Sequence, residues 1–387
     1  MFIENSIKNV NPDYLLRLND IIPSNQNYYY LDINHIDLLD NYSPSFQELK
    51  LEFNIPDDTI LLLDCAFEGY RSIVDKIYKT LITSDKWGEE QIVLISGAAD
   101  IIDIVNYYAN LYDKKSIKSI FTIEFERMLA HQIANMSDDY LNYLQTKTFS
   151  YNKSYICLNK RWRLHRPTLV AMLNSRKLLD KGYVSLTEAD DNNNWNTLYE
   201  SIVATHKDTS EIDNYFRNHK DEIMNLNGLI LDQDRLLDYS THYLSDKLDN
   251  CYLNSYFSVV NETNFYTDPN KYISTYVPIC EGTRFFTEKV FKPMIYNHPF
   301  ILVTVPKSLQ LLKDLGYKTF APYINEDYDN ELDDGKRLLM ILDEIERLSN
   351  LSEQEVKSFV LNTLVICQYN FKVLMKRSGY TNTWSIK

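Results

Sequence analysis

Glycine is scarce. The chain has 9 glycines in 387 residues, and it contains no GxGxxG, no Walker loop and no Gly-x-Ser-x-Gly elbow. Dehydrogenase, P-loop and serine-hydrolase readings therefore lose the motifs that carry their chemistry. Cysteine is equally unhelpful to a metal reading. The five cysteines, Cys65, Cys157, Cys251, Cys280 and Cys367, are dispersed, odd in number and without a CxxC pair. They read as reduced, buried thiols rather than a zinc cluster. No apolar run approaches the ~18 residues of a spanning helix, and the N-terminus lacks a basic segment followed by an apolar one. The expectation is a soluble, cytoplasmic protein. Positive charge is in deficit too. Lys+Arg is 40 against Asp+Glu 54, a formal net charge of −14, which argues against a general nucleic-acid binder but leaves room for a local basic pocket.

What is present is a well-formed α/β pattern. Hydrophobic residues make up 44% and charged residues 24%, as in globular domains. The length fits about two domains at ~100–200 residues each. The first ~50 residues read as irregular, with one short strand at Tyr28–Asp32. From Thr59 the chain alternates. Apolar runs at Thr59–Asp64 and Gln91–Gly97 read as strands buried on both faces and Ile117–Glu124 is strand-like, with helices at Tyr70–Ser84, Ile101–Tyr112 and Phe125–Ala134. Such alternation predicts a parallel sheet. After a polar break at Gln145–Lys153 it restarts, with strands at Tyr155–Leu158, Gly182–Leu186, Ser255–Val260 and Phe300–Val303. Helices are expected at Pro167–Asp180, Glu288–Tyr296 and Ser308–Leu315, and two long amphipathic helices at Asp334–Ser349 and Ser352–Lys376 close the chain. Pro167 suits a first helical position.

The architecture that follows is α/β: two Rossmann-like, doubly wound domains facing a cleft. The expected division is residues 1–150, residues 151–350 and a closing C-terminal helix within 351–387. Ligands of such sheets bind beyond the carboxyl ends of the strands, so the loops after strands are where function is sought.

Three such loops stand out. After Tyr155–Leu158 comes Asn159-Lys160-Arg161-Trp162-Arg163-Leu164-His165-Arg166-Pro167, four cations and a histidine between a strand and a helix start. Guanidinium forks and free helix amides make this an anion site. After Val260 comes Asn261-Glu262-Thr263, a polar triplet suited to ribose or sugar hydroxyls. Then Phe286-Thr287-Glu288-Lys289 opens a helix, with Thr287 as N-cap and Glu288 in the first turn. Lys289 and Lys292 are three apart and share a face.

Together these segments resemble the donor-binding half of fucosyltransferase-like GT-B glycosyltransferases. Those carry a Phe-Glu-Asn-Ser-type strand end, Tyr-(Ile/Val)-Thr-Glu-Lys at a helix start, then a Pro-led apolar strand, here Pro299–Val303. The chain is more similar still to glycosyltransferases inferred in phages and large DNA viruses. It shares with them Thr-Glu-Lys-x-Phe-Lys-Pro, the Leu315–Phe320 segment and Tyr328-Asp329. The resemblance spans residues 150–350. It departs in the triplet order and in Phe286.

The resemblance implies transfer of a sugar from a UDP- or GDP-linked donor to an acceptor hydroxyl, with no obligatory metal. The acceptor would be a saccharide or a hydroxymethylated base in phage DNA, and the setting the host cytoplasm if the protein is viral. Arg166 and Lys289 would stabilise the leaving diphosphate, with Arg161, Arg163 and Lys292 behind them. Glu288 would hold donor hydroxyls, with Asn159, His165, Asn261, Glu262, Thr263, Phe286 and Thr287 lining the donor site. A carboxylate base is expected from the first domain. Asp64 and Glu68 follow one strand and Glu124 and Glu126 another; Glu126 is preferred, then Glu68. Asp232-Gln233-Asp234, after Gly228–Leu231, is the competing Mn²⁺-type motif, and Asp327-Tyr328-Asp329 is a second instance. A non-catalytic interaction protein that kept the fold is the rival from another class.

Overall fold

The computed structural model describes residues 12–33, 45–69, 71–84, 87–146, 150–159, 163–186, 200, 217–221, 244, 246–267 and 282–380. By its contacts the chain forms two compact units, Met1–Glu124 and Phe125–Lys387.

The first unit is a parallel sheet of β1 (Tyr28–Asp32), β2 (Ile60–Cys65), β3 (Ile92–Ser96) and β4 (Lys118–Phe121), in that order. Strand β2 is buried at every position, as its unbroken apolar run requires. Because the order is sequential, right-handed crossovers place every connecting helix on one face. The core shows this. Tyr29, Leu61, Leu63 and Leu94 pack with Leu49 of α2 (Phe46–Phe53) and Ile73 of α3 (Ser72–Lys76). They also pack with Tyr78 in the π-helical continuation Ile77–Ile82 and Ile101 of α4 (Ile101–Leu111). The opposite face, Tyr28, Tyr30, Leu62, Val93 and Ile95, is covered by Leu18 of α1 (Pro12–Ile21).

Strand β1 lies where the sequence places it, but α1 and α2 replace the irregular chain expected around it. The signal for α2 is Ser45-Phe46-Gln47-Glu48. Ser45 accepts from the Glu48 amide and Glu48 reaches back to the Ser45 amide, a complete capping box.

In the second unit the strand order is β6-β5-β7-β8, all parallel: β5 Tyr155–Cys157, β6 Gly182–Val184, β7 Phe257–Asn261 and β8 Phe300–Val303. The chain starts at β5, steps outward to β6, then crosses to β7 on the other side. This reversal makes a topological switch point between β5 and β7. The two-sheet, Rossmann-like α/β class expected from the sequence is the one observed, and only the second sheet holds the reversal.

Two helices before β5, α5 (Glu124–Ala134) and α6 (Asp138–Gln145), belong with the second unit, so the division falls at Glu124 rather than near residue 150. The reason is specific bonding. Gln132 exchanges hydrogen bonds with the Leu244 backbone, Tyr140 donates to Asp249 at 2.6 Å, and Asn297 donates to the Gln145 carbonyl. Helix α7 (His165–Ser175) starts two residues before Pro167, which still sits in the first turn where no amide donor is needed. The remaining elements are α8 (Asp246–Leu253), α9 (Glu288–Ile295), α10 (Ser308–Asp314), α11 (Asp334–Ser349) and α12 (Glu353–Arg377).

Candidate functional site

The carboxyl ends of β5 and β7 meet side by side, and asparagines bind them together. The Asn261 Nδ2 donates to Asn159 Oδ1 at 2.9 Å. Asn159 in turn donates its backbone amide to Ser185 Oγ and its side chain to the Ser185 carbonyl. One polar chain thus runs across three adjacent strand ends. Both asparagines are buried, so these bonds replace lost water contacts.

The basic loop folds onto this floor. Arg166 is 3% exposed, and its Nη2 donates to the carbonyls of Asn261 and Glu262 at 3.4 and 3.2 Å. His165 Nε2 lies 3.0 Å from the Glu262 carbonyl, and its ring stacks on Phe265. Complete burial, helped by the Arg166 charge, pushes the His165 imidazole well below its ordinary value. It is therefore neutral, with Nε2 as donor and Nδ1 as a bare acceptor. His165 Nδ1 and Asn261 Oδ1 are buried acceptors with no hydrogen-bond partner among the described residues. Arg163 is buried in the same loop, and Arg161 lies outside the described residues.

The third segment closes the site. Thr287 caps α9 as expected, accepting from the Lys289 amide. Glu262 is fully buried. Its carboxylate accepts from the Thr287 amide at 3.0 Å, the Thr287 hydroxyl at 2.7 Å and the Thr263 amide at 3.1 Å. Lys289 Nζ donates to Thr287 Oγ1 at 2.7 Å and stands 3.6 Å from Glu262 and 3.7 Å from Glu288. Phe286, Glu288 and Lys292 are buried on or beside α9. The described part of the site thus sets Arg166 and Lys289 beside Glu262 and Glu288, with Arg163 and Lys292 buried in the same segments. An excess of cations at a switch point suits an anionic ligand.

Two buried residues extend the site beyond what the sequence indicated. Arg337 of α11 donates to the Phe265 carbonyl at 2.6 Å, the Thr304 carbonyl at 3.1 Å and Asp334 at 2.6 Å, and its guanidinium lies over the Phe265 ring. His165, Phe265 and Arg337 therefore form one stack beneath the loop. Asn264 donates to both the carbonyl and the hydroxyl of Thr283. Arg337 carries no motif signal, because the Phe265 and Thr304 carbonyls that it binds lie more than thirty residues upstream.

Glu126 requires a correction. It sits in the second unit, not the first. Its carboxylate is 2.7 Å from Arg377 Nε and accepts from the Tyr317 hydroxyl. That clamp fastens α5 to the end of α12, and Glu126 is not brought to the switch point. Glu68 lies in the first unit, half-buried beyond β2. Asp64 is buried, with Tyr14 and Tyr30 donating to its Oδ2; burial raises its acid to about 6. Glu124 is buried and accepts from Thr122 at 2.8 Å. His298 is a packed turn residue, bonded to Ser258 and the Ser255 carbonyl.

Among the described residues no group of His, Cys, Asp or Glu side chains is arranged to hold a metal ion. Asp232 and Asp234 lie outside them. Asp329, of the other Asp-x-Asp, accepts from the amides of Leu309 and Gln310 and so caps α10. Among the described residues no helix is long and apolar enough to cross a membrane.

No family model and no curated protein matches the chain. Among solved structures it is similar to a glycosyltransferase from Rickettsia africae ESF-5, at 10% identity over 83% of this chain and 69% of that one, with a TM-score of 0.28. At that level the likeness decides nothing about this chain.

Proposed function

We propose that the chain is a glycosyltransferase whose nucleotide-sugar donor binds at the β5–β7 switch point. The observation that supports this reading most is the convergence there of Arg166, Glu262, Thr287 and Lys289, from three separate segments. In the proposed reaction, negative charge grows on the leaving diphosphate. Preorganised cations at that point lower the barrier. Lys289 and Arg166 take that role, and Glu288 takes donor hydroxyls. The charge stabilisation comes from side chains, and a divalent cation is not required.

The acceptor is a hydroxyl of a saccharide or of a hydroxymethylated base. Of the carboxylates considered as base, Glu68 is the one proposed, because Glu126 is held by Arg377.

The test is thermal unfolding of the full chain with UDP, GDP, CDP and their sugars, with and without Mn²⁺, repeated on Lys289→Ala. Binding confined to the folded state adds ~2.7 kcal/mol at a hundredfold excess over Kd. One nucleotide should raise the melting temperature without metal, and less so in the variant. If no nucleotide does so, the proposal fails. A shift that appears only with Mn²⁺ moves the site to Asp232 and Asp234.

A further inference from the structure

Helix α12 is apolar on two sides. Its inner side, with Phe359, Val360, Phe371 and Leu374, is buried within the second unit. Its outer side carries Leu361 at 48% exposure, Val365 at 69% and Tyr369 at 39%. Residues four apart are neighbours on a helix surface, so the three form one continuous ridge. Helix α4 also bears three exposed large apolar residues, Ile102, Tyr107 and Leu111. There Ile102 and Leu111 are two and a half turns apart and lie on opposite sides, and Arg71 lies over the Tyr107 ring. Among the described helices such a ridge is found on α12 alone. A surface helix turns one apolar side to its core. A second apolar side, rimmed by polar groups, marks a contact with another molecule.

The ridge is ordered in advance. Tyr369 donates its hydroxyl to the Gly316 carbonyl at 3.3 Å, and the Lys318 ammonium stands 4.3 Å from its ring centre. Little rotamer freedom of that ring remains to be lost on contact.

The ridge is also symmetric about its middle. Leu361 and Tyr369 lie one turn to either side of Val365. Two turns away are Ser358 and Lys372, and three turns away Gln354 and Lys376, all exposed. The charge, in contrast, is polarised. The first turn of α12 holds Glu353 and Glu355; the last holds Lys376 and Arg377, and Arg377 is bonded to Glu126. Two copies of α12 laid parallel would set lysine on lysine. Laid antiparallel across Val365, they set Gln354, between its two glutamates, against Lys376 of the other copy. The helix dipoles then oppose one another as well. Three apolar side chains with polar flanks fall short of the ~1,200–2,000 Å² that stable interfaces bury, so the contact is weak.

We infer that the outer side of α12 is an interface for a second copy of this chain, the two helices antiparallel about a two-fold axis at Val365. Val365 meets its own copy there, Leu361 meets Tyr369, and the acidic start of each helix faces the basic end of the other. Such a contact closes at two copies. The inference does not depend on the proposed transferase reaction.

Sedimentation equilibrium of the full chain tests it, at about 1–500 µM, the range of weak association. Wild type should pass from monomer to dimer in that range and stop there. Val365→Glu and Leu361→Glu each replace an exposed side chain and should keep the wild-type circular dichroism. Each should raise the dimer Kd about tenfold or more, since a charge is set into the contact. Lys376→Glu should raise it about threefold, and adding Gln354→Lys should restore it by exchanging the two partners. A monomer throughout overturns the inference, as does assembly beyond the dimer or a dimer that Val365→Glu leaves intact. A tighter dimer in Lys376→Glu overturns it too, because that is the parallel arrangement. Flotation with anionic phospholipid vesicles is run beside it. Wild-type binding that Val365→Glu removes would assign the ridge to a membrane surface and overturn the inference as well.

Discussion

The Glu262 carboxylate receives both the amide and the hydroxyl of Thr287, at 3.0 and 2.7 Å. One side chain at the end of β7 therefore fixes the start of α9, twenty-five residues later in the chain. Glu262 is fully buried and Lys289 is its cation. Glu262→Gln would turn an amide donor toward Thr287 and Lys289 and leave the lysine with Glu288 as its one remaining carboxylate among the described residues. Breaking a dry pair costs about 3–5 kcal/mol, but Lys289 is 27% exposed, so roughly 2–3 kcal/mol is expected. Urea unfolding measures it. Thr287→Ser should stay near wild type and Thr287→Val should not; equal stability of all three variants with wild type would refute the clamp.

Arg337 and Asp334 form a buried pair, at 1% and 2% side-chain exposure. Burial lowers the Arg337 pKa from its ordinary value, and Asp334 together with three carbonyls offsets that cost. Arg337→Met should destabilise the second unit by about 3–5 kcal/mol, because Asp334 keeps its charge without a cation. Adding Asp334→Leu should recover part of the loss, the carbonyls remaining unpaired. Full recovery in the double variant would show that the carbonyl bonds contribute nothing.

Asp64 carries a pH signature. Its acid is raised from 3.8 to about 6, chiefly by burial. The folded state therefore holds a proton that the unfolded chain releases between about pH 4 and 6. Asp64's contribution to stability is present below pH 4 and is lost as pH rises through 6, up to roughly 3 kcal/mol. The unfolding free energy of wild type relative to Asp64→Asn should fall by that order from pH 4 to 7. A constant difference would mean that Asp64 titrates normally.

Glu126 distinguishes a strut from a base. As a strut bonded to Arg377 and Tyr317, it gives Glu126→Gln a stability loss of about 1 kcal/mol, since the Arg377 side chain is 33% exposed. Turnover per folded molecule should change less than twofold. Loss of a general base would instead lower it by ~10²–10⁴. Steady-state rates measured well below the melting temperature decide between them.

Much of this molecule is written locally. The apolar run at Ile60–Cys65 is a strand buried on both faces, Asp334–Ser349 is a helix over the span that its periodicity marks, and Thr287 caps α9. These follow from neighbours within a few residues, through the period of the side chains and the need of the first helical amides for an acceptor. The capping box at Ser45–Glu48 was equally readable and marks a helix in a stretch whose polar composition suggested none. What tertiary structure alone decided is which strand ends become neighbours. Asn159 meets Asn261, and Arg166 reaches the Glu262 carbonyl, across about a hundred residues, because the second sheet reverses between β5 and β7. The same long-range burial takes Glu126 to Arg377. Strand order and ion-pair choice depend on how whole faces exclude water together, and no window of the sequence contains that sum.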